Sequence, residues 1–113
     1  VSETAIVADI LLMIGKEFSS TIRAWRNNSG ALPDAHGRLV KFGLVGSADI
    51  LGVIGSEGGR LLAIEVKAPG GKRTQAQINF ANMVIAMNGR YVLAKSVDEA
   101  RDGILQRSIP CWG

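Results

Sequence analysis

The 113-residue sequence contains a single cysteine and a single histidine. Cys111 has no partner in the chain, which rules out an intrachain disulfide and leads us to expect a reducing, cytoplasmic setting. His36 has no second histidine and no zinc-ligand spacing to the cysteine, so no zinc site is expected. The longest apolar stretch, Ala5 to Ile14, is broken by Asp9 and falls well short of the ~20 residues that span a bilayer. No signal peptide, membrane segment, internal repeat, low-complexity tract or domain linker is visible. The chain begins at Val1 rather than Met, as a processed or trimmed sequence does. With 47% apolar residues, residues 1–113 read as one domain able to fold without staples.

Acidic side chains are also missing from one long stretch. Residues 67 to 95 carry five cations (Lys67, Lys72, Arg73, Arg90 and Lys95) and no acid, whereas residues 42 to 66 carry a net −2. A cationic block beside a small acidic cluster suits a polyanion with a metal between them, because phosphates need cations and divalent metals need carboxylates. A merely solvated surface gives the same pattern.

Ser2 is placed to cap a helix from Glu3 to Phe18, whose apolar residues Ile6, Ile10, Met13, Ile14 and Phe18 form one stripe. "STIRAWR" fits either a short strand or a helix extension, and "NNSGALPDAHG" reads as loop. Strands are expected up to Phe42, from Ala48 to Ile54, and from Arg60 to Lys67, the last two joined by the turn "GSEGG". Thr74 and Gln77 have capping-box spacing at the start of a second helix that stops at Asn88 and Gly89. "RYVLAK" is a further strand, and Ser96 with Glu99 starts a last helix. The result is an α/β fold with a mixed four-stranded sheet flanked by helices, its parallel crossover supplied by the second helix.

Along the strand ending at Lys67, alternation puts Leu61, Ala63, Glu65 and Lys67 on one face and Leu62, Ile64 and Val66 on the other. A hairpin centred near residue 57 sets Asp49 opposite Glu65 or within two residues of it. Two carboxylates so close repel unless a cation lies between them, and Mg²⁺ (or Mn²⁺) suits that place, with the Val66 carbonyl able to add an oxygen. Lys67 is then positioned to orient or help deprotonate a water, or to stabilise charge on phosphorus. The plainer alternative is a cross-strand salt bridge. Arg26, Asn27 and Asn28 offer phosphate contacts in a polar segment, and Lys72 and Arg73 join the backbone amides of the second helix as a phosphate cradle. Trp25 is expected in the core in preference to serving as a base-stacking platform, and no motif for reading base edges is visible.

The segments "GSADI" (46–50), "AIEVK" (63–67) and "TQAQINF" (74–80) resemble the PD-(D/E)XK nuclease superfamily, and within it the virus-type replication-repair nuclease domain in its compact, phage-like form. Ala48 stands where the superfamily's name places a proline. The resemblance covers nearly the whole chain and implies a restriction-endonuclease-like core, αβββαβ plus a C-terminal helix. It implies metal binding by Asp49 and Glu65, assistance by Lys67, a glutamine at Gln77 that reaches the site, and a first-helix glutamate, best matched by Glu3, near the metal. From the residues alone, Gln77 is equally a helix cap.

The function so implied is metal-dependent DNA endonuclease activity selecting branched structures, with a four-way junction cut by a homodimer as the leading substrate. The alternatives are a less selective nuclease of flaps or ends, and a non-catalytic DNA-binding module.

Overall fold

The computed structural model describes residues 2–106, so Cys111 lies outside the described residues. Helix α1 (Glu3–Glu17) starts as its cap predicts, the Ser2 side chain accepting from the Ala5 amide at 3.1 Å. Its stripe buries Ile6, Val7, Ile10, Met13 and Ile14. There follow β1 (Ile22–Arg26), β2 (Gly30–Pro33), β3 (Leu39–Phe42), β4 (Ile50–Ile54), a short 3₁₀ turn (Gly55–Glu57), β5 (Arg60–Val66), α2 (Gln75–Ala86), β6 (Arg90–Ala94) and α3 (Val97–Leu105).

The main sheet has four strands in the order β1-β4-β5-β6. The first two pairings are antiparallel, and β5 runs parallel to β6. The α/β class and the mixed four-stranded sheet are therefore as expected, but one strand is different. The open segment "STIRAWR" supplies the edge strand β1. The segment ending at Phe42 leaves this sheet and pairs instead with Gly30–Pro33, which had read as loop. Loop composition misled because Pro33 lacks an N–H and Gly30 lacks a side chain, yet a free-edged ribbon tolerates both. Asp34 closes the ribbon's turn: its carboxylate accepts from the amides of His36 and Arg38, the cause of its lowered pKa. Every residue of β2 and β3 is exposed.

Alternation along β5 divides the core in two. Leu62, Ile64 and Val66 pack with α1 and α3, and Ala63 packs with Tyr91, Ala48 and the α2 residues Phe80, Ala81 and Val84. Fully burying side chains such as Ile10, Ile50, Leu62 and Ile64 contributes roughly 1.5–3 kcal/mol each. Trp25 departs from expectation. Its strand neighbours Ile22 and Ala24 take the α1/α3 face, leaving Trp25 on the α2 face at 48% exposure, because α2 lies over β5 and β6 and stops short of β1.

The acid-free block also divides. Arg90 is buried at the far end of the sheet, donating to Glu57 Oε1 at 2.7 Å and to the Ile104 carbonyl at 2.8 Å, so it holds the fold together there. Lys67, Lys72 and Arg73 lie at the other end, where β5 finishes. No helix among the described residues is long and apolar enough to cross a membrane.

Candidate active site

The site is built where β5 ends beside the start of β4. The β4/β5 register pairs Ile50 with Ile64, so one step further sets Asp49 opposite Glu65. Asp49 Oδ2 accepts from the Val66 amide at 2.8 Å, which ties the loop before β4 to the end of β5. On the other side of the strand, the Lys67 amide donates to the Ala94 carbonyl at 3.0 Å. Successive residues of a strand aim their backbone groups to opposite sides, so Val66 turns both its N–H and its carbonyl toward β4 and Asp49.

Glu65 is almost fully buried, at 2% exposure. Its Oε2 accepts from Gln77 Nε2 at 3.1 Å and lies 3.4 Å from Lys67 Nζ. Its Oε1 has no hydrogen-bond partner. Burial first, and then the neighbouring Asp49 carboxylate, push the Glu65 pKa up to about 7, against the pull of Lys67. An acid in this state is poised between neutral and charged forms near neutral pH. A buried carboxyl oxygen without a partner is costly, and a cation or a water proton would satisfy it.

Gln77 serves both of its candidate roles. Its Oε1 accepts from the Thr74 amide at 2.8 Å, closing the capping box, while its Nε2 holds Glu65. Glu3 reaches this end of the sheet, its Oε2 accepting from the Ala68 amide at 3.3 Å, the residue next to Lys67. It does not join Asp49 and Glu65 in a three-carboxylate group: among the described residues, no three His, Cys, Asp or Glu side chains converge as metal ligands. Two carboxylates and the Val66 carbonyl are what this end of the sheet offers. That set fits Mg²⁺, which is commonly held by one or two carboxylates and keeps several waters, better than a metal needing a full protein cage.

The expected DNA-contacting residues are spread around this end. Lys72 is exposed before α2, and Arg73 lies over the Tyr91 ring, 5.8 Å from its centroid. Arg26 and Asn28 are exposed at and just beyond the end of β1. Alternation from Ile22 and Ala24 places Arg26 on the face opposite Glu65.

Asn27, expected from the sequence as a phosphate contact, turns its side chain to the Asp49 segment instead, and two further residues, Gly46 and Tyr91, matter here that spacing did not single out. Asn27 Nδ2 donates to Ser47 Oγ at 2.7 Å and to the Ala48 carbonyl at 2.9 Å, while its amide donates to the Asp49 carbonyl at 2.8 Å. It therefore fixes the segment that presents Asp49. Gly46, at φ +82°, sits so close to α2 that a Cβ there would clash with the Ala76 carbonyl. This contact sets the Asp49 loop against the helix that carries Gln77, and the glycine of "GSADI" was its only sequence signal. Tyr91 is buried under Arg73, and burial raises its pKa. Compared with protein-family models and with curated proteins, the chain matches none.

Proposed function

We propose that this chain is a divalent-metal-dependent, structure-selective DNA endonuclease of the PD-(D/E)XK kind, with the restriction-endonuclease-like core and the virus-type replication-repair nuclease as its nearest type. The observation that carries this reading is the meeting of Asp49 and Glu65 across β4 and β5, with Lys67 Nζ 3.4 Å from Glu65 Oε2. Asp49, Glu65 and the Val66 carbonyl would hold Mg²⁺ or Mn²⁺. When bound, the ion would neutralise the acid pair and draw charge from a phosphoryl oxygen. Lys67 orients the attacking water or stabilises charge at phosphorus, and Gln77 keeps Glu65 in place for that task. The water oxygen bonds to phosphorus as one P–O ester bond breaks. Lys72 and Arg73 beside the start of α2, with Asn28 just beyond β1, take the flanking phosphates, and Arg26, on the far face, serves only DNA that wraps the sheet edge.

Branched DNA, with the four-way junction first, is the substrate proposed, and a homodimer in the cytoplasm the working form. Two-fold symmetry would give two opposed strands one site each. The ribbon supports dimerisation. The β2/β3 pairing puts Leu32, Val40 and Phe42 on one face, and they are 62%, 51% and 40% exposed. An apolar face left open in this way is what a second copy would cover. The lack of a third side-chain ligand among the described residues favours one second reading, a DNA-binding module whose acid pair is structural.

A panel of labelled duplex, flap, splayed-arm and four-way junction substrates with Mg²⁺ tests the proposal. Cutting is expected on the junction ahead of the duplex. Equal cutting of every form would replace junction selectivity with the less selective nuclease of flaps and ends.

A further inference from the structure

Trp25 is the one large aromatic side chain of the main sheet that the fold leaves open on the α2 face. The strand registers place Trp25, Leu51, Ala63 and Tyr91 in one row across all four strands. Helix α2 covers the Ala63 and Tyr91 end of that row, Leu51 packs partly against the same cluster, and the β1 end stays open, with Trp25 at 48% exposure. The neighbouring row on the same face is Asn27, Asp49, Glu65 and Leu93. Asp49 is thus the diagonal cross-strand neighbour of Trp25, a separation of about 7–8 Å that an aromatic side chain can reach across. That span is comparable to the one between a nucleotide's phosphate and its own base.

Charge at Trp25 suits the same occupant. Arg23, two residues before it and on the same face of an exposed edge strand, enters no ion pair among the described residues. A cation beside an open aromatic ring is the recognition chemistry of single-stranded nucleic acid, in which phosphates follow the charge and bases stack on the ring. A base within an intact duplex has both faces occupied, so only an unpaired base, at a branch, flap or end, can stack there.

We propose that Trp25 is a stacking platform for an unpaired nucleobase adjoining the phosphate engaged at Asp49 and Glu65. The inference rests on the nuclease reading above and supplies it with a basis for choosing branched over continuous DNA. Trp25 is a specificity residue in this role and takes no part in bond breaking.

Binding is measured in EDTA, so that cleavage does not enter, using oligo-dT and a blunt duplex of about 20 nucleotides each. Trp25→Ala is expected to weaken oligo-dT binding about tenfold or more and duplex binding less than about twofold, with Trp25→Phe staying near wild type. In a Trp112→Phe background, Trp25 is the sole tryptophan, and its emission should be quenched by oligo-dT and not by the duplex. This second readout needs no change at Trp25. Equal weakening of both DNA forms, or DNA binding without quenching, overturns the platform and leaves the nuclease reading standing. A wild-type protein that binds neither form at low salt overturns the nucleic-acid reading and the platform with it.

Discussion

Gln77 joins the acid pair to its helix: Nε2 donates to Glu65 Oε2 at 3.1 Å while Oε1 accepts from the Thr74 amide at 2.8 Å. One side chain thus caps α2 and orients a carboxylate. The two roles separate by mutation. Thr74→Ala removes a cap and should cost about 1 kcal/mol of stability with cleavage near wild type. Gln77→Ala should cost a similar amount of stability and also lower the cleavage rate at least tenfold. Thermal melts beside single-turnover rates distinguish the outcomes, and parallel losses in both variants would reduce Gln77 to a cap.

Lys67 is 12% exposed and bonded to Glu65, so its amine faces the acid pair more than bulk solvent. Lys67→Ala should lower cleavage on the order of 100-fold or more while junction affinity in EDTA changes less than about threefold. Equal loss of cutting and binding, by gel shift and cleavage assay, would make Lys67 a DNA-binding residue only.

The raised Glu65 pKa has a definite consequence for stability. In the unfolded chain this carboxyl titrates near 4.5, and in the fold at about 7, so the folded state holds the extra proton between those values. Its contribution is full below about 4.5 and is lost as pH rises through about 7, a change of up to about 3 kcal/mol. Asp34 and Glu57 have lowered pKa values and act in the opposite sense, their contributions being lost in acid. The difference between wild type and Glu65→Gln in EDTA isolates Glu65. The variant should gain on wild type from pH 5 to pH 8 in denaturant melts. Mg²⁺ should stabilise wild type at pH 8 and the variant much less.

Gly46 and Asn27 position Asp49 from opposite sides. Gly46→Ala should cost roughly 2 kcal/mol or more, since its Cβ would meet the Ala76 carbonyl and its φ of +82° favours glycine. Asn27→Ala frees the 47–49 segment and should reduce cleavage with a smaller loss of stability. Denaturation curves and rates on the junction give both quantities.

The apolar ribbon face makes oligomeric state measurable. A mass of twice the chain at micromolar concentration is expected, and Leu32→Asp with Val40→Asp should return it to a monomer while the main sheet stays folded. A strictly monomeric wild type would count against symmetric junction cutting.

Much of this arrangement was legible in the sequence because it rests on local rules. Ser2 and the Thr74/Gln77 pair announced two helix starts, and alternation with a hairpin of known centre brought Asp49 to Glu65. The unread parts depend on the third dimension. Whether "IRAWR" or the segment ending at Phe42 pairs with β4 is decided by which apolar face α1 and α3 can cover, and Ile22 and Ala24 supply it. Trp25 lies open because α2 stops short of β1, a limit that no spacing along the chain encodes. Asn27 acts through the Ser47 hydroxyl and the Ala48 carbonyl, about 20 residues away, and only the pairing of β1 with β4 brings them together.

If Asp49 and Glu65 form the metal-dependent cutting site proposed above, removing either the metal or one carboxylate must stop cleavage. A labelled four-way junction incubated with wild type and with Asp49→Asn, each in Mg²⁺ and in EDTA, tests it most directly. Cleavage is expected from wild type in Mg²⁺ alone, with Asp49→Asn still binding the junction. Junction binding without cleavage under Mg²⁺, Mn²⁺ or any other divalent ion would contradict it.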